Sequence, residues 1–156
     1  MGRRTICAHS RQTGSGGIEF KVSDAVLLAG PMNPPGEWPS GVRLPLNRKA
    51  NGLIFLVTTG FHAEKGSKVG SITIRYSSIE SIVVHLVYGE NVTSWKDSSA
   101  TPSAHVGWIG KTPAGEKAVL RTIEWRNPYP DREIQSIEIT SDAGSPILLG
   151  ITGLTD

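Results

Sequence analysis

The chain has 156 residues, of which 38% are hydrophobic and 19% are charged. This length and balance are enough to bury a core, and they exclude an intrinsically disordered chain. The formal net charge is only +2, and Lys and Arg are scattered without a basic stripe, so we expect no nucleic-acid partner. No apolar run approaches the roughly 20 residues of a membrane helix, so we expect no membrane partner either.

The cysteine content and the first residues bear on the cellular compartment. Cys7 is the single cysteine, which excludes an intrachain disulfide and a thiolate metal cluster. The first seven residues are basic, but no apolar stretch follows them, so we do not expect a secretory signal. The compartment is therefore unknown: either the protein is cytoplasmic, or the sequence is a domain whose export signal lies outside it.

Polar residues rich in Gly and Ser come first along the chain, and strand-like segments follow. Residues 1–17 lack any periodicity and predict a flexible N-terminal arm, while residues 18–156 predict a single β-sandwich domain. Alternating apolar and polar residues between turn-forming residues predict a series of short strands. These are Ile18–Val22, Val42–Leu46, Leu53–Thr59, Gly70–Tyr76, Ile82–Tyr88, Ala104–Ile109, Lys117–Trp125, Ile134–Thr140 and Pro146–Thr152.

The apolar pattern within these strands predicts how they pack. Ile72, Ile74 and Tyr76 alternate with polar residues, which indicates one buried face. The run Leu53–Val57 is continuously apolar, as is typical of a central strand covered on both faces. No segment shows a convincing helical period. We therefore predict an all-β fold, an antiparallel β-sandwich of the jelly-roll type.

Several stretches occur in a familiar order along the chain. They are Lys49–Ala50 leading into Leu53–Thr59, Lys65–Gly70 leading into Ile72–Tyr76, Tyr88–Trp95, Trp125–Ile134 and Leu148–Thr152. With them the chain resembles the galactose-binding-like, or discoidin-like, jelly rolls, which include many carbohydrate-binding modules and recur at the C-terminal ends of bacterial multidomain proteins. The resemblance implies a bacterial, non-catalytic accessory module with an extracytoplasmic location and a carbohydrate partner.

Aromatic side chains in the loops are the best candidates for holding a ligand. Trp and Tyr rings stack on the apolar C–H faces of pyranose rings, while nearby amides and charged groups bind the hydroxyls. The predicted sugar-binding residues are Trp95, Tyr129, Trp125, Asn91, Glu90, Arg126 and Asn127. Each could instead have a structural role, because indoles also fill the core of a sandwich and Asn also forms turns.

We predict no catalytic residues and therefore no enzyme. The sequence lacks the Gly-x-Ser-x-Gly nucleophile elbow. His62 and Glu64 share one loop and could act as an acid–base pair, but two solvated polar residues are the favoured interpretation. A small hydrolase or lyase would require His62, Glu64 or Asp131 to lie beside another acid or base in one pocket.

A metal ion and a protein partner are two further possibilities. The histidines lack the spacing of a transition-metal site, so we expect no such metal. Glu19, Asp24 and Asp142 would supply carboxylates to a structural calcium ion if the first and last strands pair. The second functional hypothesis is a structural or protein-interaction domain whose exposed aromatic residues form a homo-oligomer or partner interface.

Overall fold

A computed structural model describes residues 25–34, 36–78, 80–142 and 144–154. These residues form strands, turns and irregular segments, and they include no helix of the length and hydropathy needed to cross a bilayer. The strands are β1 (Val26–Leu27), β2 (Gly41–Arg48), β3 (Gly52–Thr59), β4 (Lys68–Tyr76), β5 (Ile82–Val87), β6 (His105–Lys111), β7 (Lys117–Arg126), β8 (Ile134–Ser141) and β9 (Pro146–Leu154).

The strands form two antiparallel sheets that share one core. One sheet has five strands in the order β1-β9-β3-β7-β6, and the other has four in the order β2-β8-β4-β5. Apolar side chains from both sheets belong to a single buried cluster, as expected when two sheets pack face to face. The predicted antiparallel β-sandwich is confirmed.

The predicted strands agree closely with the observed ones. From Val42–Leu46 onward each is found, with ends within about two residues of the prediction. The predicted strand Ile18–Val22 and the predicted arm of residues 1–17 lie outside the described residues. The prediction omits β1, because its two residues are too few to show an alternating pattern.

The core is centred on β3. The cluster between the sheets includes Leu53, Phe55, Val57, Ile72, Ile74, Ile137 and Ile139. Burying each such side chain contributes about 1.5–3 kcal/mol to the free energy of folding. Ile54 and Leu56 point to the opposite face of β3, and they are only 2% and 4% exposed. The continuously apolar run thus forms a strand buried on both faces, as predicted.

Two ends of the sandwich, marked by the two ends of β3, carry different loops. At one end Thr59 N donates to Thr93 O at 3.1 Å, which joins β3 to the loop between β5 and β6. At the other end Gly52 pairs with Arg126, the last residue of β7. Because a strand rises about 3.3 Å per residue, these ends lie roughly 23 Å apart. They are called the Thr59 end and the Gly52 end below.

Candidate functional site

An open cleft of about 700 Å³ lies at the Thr59 end. Its walls come from the loop that follows β3 and from the loop that joins β5 to β6. The lining residues are Gly60, Phe61, His62, Ser94, Trp95, Lys96, Asp97 and Ser99. The cleft therefore combines two large aromatic rings with hydroxyl, imidazole, ammonium and carboxylate groups.

A tight turn after β5 directs the second loop into the cleft. Gly89 has a φ of 79°, a left-handed conformation that favours glycine because it has no Cβ. Its N–H donates to Val92 O at 2.9 Å and closes the turn. Ser94 then forms an isolated bridge with Thr59, which places the next residues of the loop along the cleft.

The side chain of Arg121, on β7, forms hydrogen bonds with this loop. Its side chain is buried, with the residue 2% exposed, and its Nη2 donates to Asp97 O at 3.3 Å and to Ser99 O at 2.5 Å. Its Nε donates to Thr93 Oγ1 at 3.4 Å. Burial lowers the pKa of the guanidinium below its ordinary value, whereas Asp97 acts in the opposite direction. One buried cation thus fixes three points of the loop that carries the cleft residues.

A polar network joins the two walls of the cleft. The Tyr88 hydroxyl donates to Asp97 Oδ2 at 2.9 Å and accepts from Ser94 N at 3.2 Å. His62 Nδ1 lies 3.0 Å from the same hydroxyl oxygen and 3.8 Å from Asp97 Oδ2. Since the hydroxyl has one proton and gives it to Asp97, His62 Nδ1 is the donor when it bonds to Tyr88. The network orients the carboxylate and the imidazole towards one another.

The protonation states of Asp97 and Tyr88 are fixed by their surroundings. Hydrogen bonds from the Ser99 side chain lower the pKa of Asp97, with burial acting against them. Burial raises the pKa of the Tyr88 phenol. Near neutral pH the carboxylate is therefore ionised and the phenol keeps its proton. Asp97 is a permanent acceptor in the cleft.

The Trp95 ring forms the aromatic wall of the cleft and is itself held in place. Trp95 O accepts a hydrogen bond from Val119 N at 2.8 Å, which attaches this point of the loop to β7. Lys96 Nζ lies 4.8 Å from the centroid of the Trp95 ring and 3.6 Å from Glu116 Oε2. The half-buried indole therefore has a cation on one face, in a geometry typical of cation–π contacts.

Known proteins offer no direct comparison for this arrangement. No protein-family model, curated protein or solved structure matches this chain. The function is therefore inferred from the geometry and chemistry of the site. The resemblance to galactose-binding-like jelly rolls stays a prediction.

The predicted residues of the loop between β5 and β6 have different environments. Trp95 lines the cleft. Asn91 does not, because its Oδ1 accepts from Val87 N at 2.9 Å and its Nδ2 donates to His85 O at 2.8 Å. Glu90 is exposed at the turn and is not among the residues that line the cleft. Of the three, Trp95 alone reaches the cleft.

The remaining predicted residues lie at the Gly52 end. Asn127 is buried there, and its Oδ1 accepts from Tyr76 Oη at 2.5 Å and from Tyr129 N at 2.9 Å. Its Nδ2 donates to Ala50 O at 2.7 Å. The Tyr129 ring stands edge-on to the Tyr76 ring with centroids 5.8 Å apart, and Tyr129 is 47% exposed. Asn127 is thus the structural centre of this corner, and the Tyr129 ring covers it.

Trp125 and Arg126 also lie away from the cleft. Trp125 is partly buried and packs against the core cluster, so its ring does not form a binding surface with Trp95. Arg126 is exposed and pairs with Glu124 through Nη2 and Oε1 at 3.2 Å. The predicted sugar-binding residues therefore divide between two ends roughly 23 Å apart and do not form one site.

The acid–base and calcium candidates can be placed as well. His62 meets Asp97 and Tyr88, whereas Glu64 is exposed and contributes its carbonyl to a bond from Ser67 N. Asp142 pairs with Lys68 at 3.2 Å. Among the residues that the structure describes, no three His, Cys, Asp or Glu side chains could hold a metal ion, and the calcium candidates Glu19 and Asp24 lie outside that part of the chain.

Proposed function

We propose that the protein is a non-catalytic carbohydrate-binding-type module whose glycan occupies the cleft at the Thr59 end. The observation that carries the proposal is that an indole, Trp95, and an ionised carboxylate, Asp97, line the same open cleft. A pyranose ring presents an apolar C–H face beside polar hydroxyls, so its recognition needs an aromatic surface next to a fixed acceptor.

Further groups in the cleft fit the same ligand. Phe61, on the loop that follows β3, also lines the cleft, and Ser99 and His62 add further polar atoms. The cleft is open, so it would contact a few sugar rings and leave the rest of a chain in solvent. Such a site binds weakly alone, and an accessory module gains retention when it is tethered close to its substrate.

The protonation states favour binding over catalysis. A general acid or base works best when its pKa lies near the working pH. The pKa of Asp97 is lowered by Ser99 and the pKa of Tyr88 is raised by burial, so both move away from neutrality. Each of the two groups is thus poorly matched to proton transfer at neutral pH. His62 does lie beside Asp97 in the same cleft, which is the arrangement that the alternative of a hydrolase or lyase requires.

An accessory role would use the loops at the ends of the two-sheet sandwich. Sheets of five and four antiparallel strands leave the loops at the ends of the sandwich free to meet a ligand. Loops on a rigid sandwich are a common place for binding residues. The bacterial and extracytoplasmic assignment follows from the resemblance and is part of this proposal.

The test is a pair of single variants at opposite ends. Trp95→Ala removes the stacking surface and should weaken glycan retention by about tenfold or more, measured by affinity electrophoresis and calorimetry on a panel of polysaccharides. Its melting temperature should change little, because the indole is only half buried. Tyr129→Ala is the matched control and should leave glycan affinity unchanged. Equal retention by the two variants would remove the assignment of the cleft.

A second proposal is a protein-interaction domain that uses the Gly52 end. It is favoured by the 47% exposure of Tyr129 on a loop that follows Arg126 and carries Arg132, since Tyr and Arg are enriched at interfaces. Solution mass from sedimentation equilibrium distinguishes the two. A stable dimer that Tyr129→Ala dissociates would favour this proposal, and a monomer at all concentrations would oppose a homo-oligomer.

A further inference from the structure

The Asp97 carboxylate has one unused acceptor position. Its Oδ1 accepts from Ser99 N at 3.0 Å and from Ser99 Oγ at 2.5 Å, and its Oδ2 accepts from the Tyr88 hydroxyl at 2.9 Å. An ionised carboxylate can accept about four hydrogen bonds. The Asp97 side chain is 19% exposed and lines the cleft. It can therefore accept one more hydrogen bond from a molecule in the cleft.

The neighbouring cations are already engaged. Lys96 is held between the Glu116 carboxylate and the Trp95 ring. Arg121 directs its guanidinium at the carbonyls of Asp97 and Ser99 beneath the loop. His62 carries a positive charge only when it is protonated. Asp97 Oδ2, which lies 3.8 Å from His62 Nδ1, then forms an ion pair with it. The cleft thus presents Asp97 with a free acceptor position, whereas its exposed cation, Lys96, already has the Glu116 carboxylate at 3.6 Å.

This balance of charge discriminates between classes of sugar. A hydroxyl can donate to Asp97 without any charge being brought into the cleft. A uronic-acid carboxylate or a sulfate would bring a second negative charge next to Asp97. Two like charges repel more strongly inside a protein cleft than at the same distance in water.

We infer that the cleft binds an uncharged sugar through a hydroxyl that donates to Asp97, and that Asp97 is the residue that excludes acidic glycans. The inference rests on the proposed function, and it names the substrate class of that site. The Trp95 ring binds neutral and acidic sugars alike, whereas Asp97 favours neutral sugars over uronic-acid and sulfated ones.

The first experiment uses the unmodified protein. An array carries neutral gluco-, manno-, galacto- and xylo-oligosaccharides beside oligogalacturonides, alginate oligomers and sulfated galactans, and calorimetry follows on the best neutral and the best acidic oligosaccharide. We expect the neutral ligand to bind at least about tenfold more tightly. Equal or tighter binding of the acidic ligand overturns the inference and leaves the sugar-binding function standing. Absence of binding to every glycan overturns the proposed function itself.

A pair of variants assigns the discrimination to Asp97. Asp97→Asn removes the charge while an amide oxygen can still accept from Ser99, and it should lower the affinity for the neutral ligand about tenfold and reduce the preference over the acidic one. Glu90→Gln is the matched control, because it removes the same charge from the same loop outside the cleft. The melting temperature of each variant is measured alongside. A preference unchanged in folded Asp97→Asn, or equally reduced in Glu90→Gln, contradicts the role of Asp97.

Discussion

The two ends of the sandwich are organised in similar ways but leave different groups available. At the Thr59 end the buried Arg121 bonds to three acceptors of one loop. At the Gly52 end the buried Asn127 bonds to Tyr76, Tyr129 and Ala50. Each end thus uses one buried polar side chain to fix a loop that carries an aromatic residue.

The difference lies in what remains after the loop is fixed. Around Arg121, the indole of Trp95 and one acceptor position of Asp97 still face the cleft. Around Asn127 both polar atoms of the buried amide bond within the protein, and the Tyr129 ring is left exposed beside Tyr76. In terms of the proposed function, a rigid aromatic loop alone would therefore not make a sugar site. The distinguishing feature is an unused polar group beside the ring.

The largest effect should come from removing the cation beneath the cleft. Arg121→Met leaves buried carbonyls of the loop without their donor, and we expect the free energy of unfolding to fall by about 3–4 kcal/mol, measured by urea denaturation. Glycan affinity should be lost together with stability. Arg126→Met is the control in the same strand: its exposed pair with Glu124 should contribute less than about 1 kcal/mol. Similar losses in the two variants would contradict the role of Arg121.

The next effect tests the Gly52 end. Asn127→Ala removes the partners of Tyr76 Oη, Tyr129 N and Ala50 O, so the free energy of unfolding should fall by about 2–3 kcal/mol. Glycan affinity should stay within about twofold, because the cleft lies at the far end of β3. Calorimetry on the folded variant decides the point. A large loss of affinity would show that the two ends are coupled.

The smallest predicted effect is the dependence of the free energy of unfolding on pH. Ser99 lowers the pKa of Asp97, so the stability that this carboxylate contributes is present above its ordinary pKa of 3.8 and is lost as pH falls through its lower folded value. Burial, helped by Tyr129, raises the pKa of Tyr76 to about 12, so its contribution is present below its ordinary pKa of 10 and is lost as pH rises towards 12. The cleft should therefore be sensitive to acid through Asp97, and both ends should be sensitive to alkali, the corner through Tyr76 and the cleft through Tyr88, whose pKa burial also raises.

Thermal unfolding followed by Trp fluorescence across pH separates these responses. Tyr76→Phe should remove about 1–2 kcal/mol of the alkaline loss between pH 10 and pH 12, should leave the part due to Tyr88, and should leave the acid response intact. Asp97→Asn should reduce the acid loss, with the part due to Glu138 remaining because Arg75 lowers the pKa of that carboxyl, and it should leave the alkaline response due to Tyr76 intact. An alkaline response that persists unchanged in Tyr76→Phe would show that another group causes it.

The sequence was sufficient for the strands because burial sets their pattern. In β4, Ile72 and Ile74 are fully buried while Thr73 and Arg75 are partly exposed, so the period of two in the sequence corresponds to the two faces of the sheet. The fully buried β3 was recognisable for the same reason, as a continuous apolar run. These are local signals, and each is read within one strand.

The candidate site could be predicted only in part because it depends on where the loops go. β5 and β6 both run towards the Thr59 end, since the connection between them crosses from one sheet to the other. Simple up-and-down alternation of strands would have placed Tyr129 beside Trp95, and this crossing sends Tyr129 to the other end. No local pattern in the sequence records the crossing.

Contacts between distant loops are equally hard to predict. His62 and Asp97 meet across two loops, and neither residue has a neighbour in sequence that signals the other. The sequence does contain a signal for Arg121. It is a single arginine between Leu120 and Thr122 in a largely apolar strand, a pattern that indicates either an exposed edge position or a buried cation with a structural role. Its partners could not be named from the sequence.

The Asn91 side chain has a consequence for how this protein behaves among copies of itself. β5 is an edge strand, and such edges invite strands from other molecules to extend the sheet. The amide of Asn91 already occupies the N–H of Val87 and the carbonyl of His85, which are neighbouring groups that an incoming strand would use. The amide therefore blocks the addition of another strand at this end of β5.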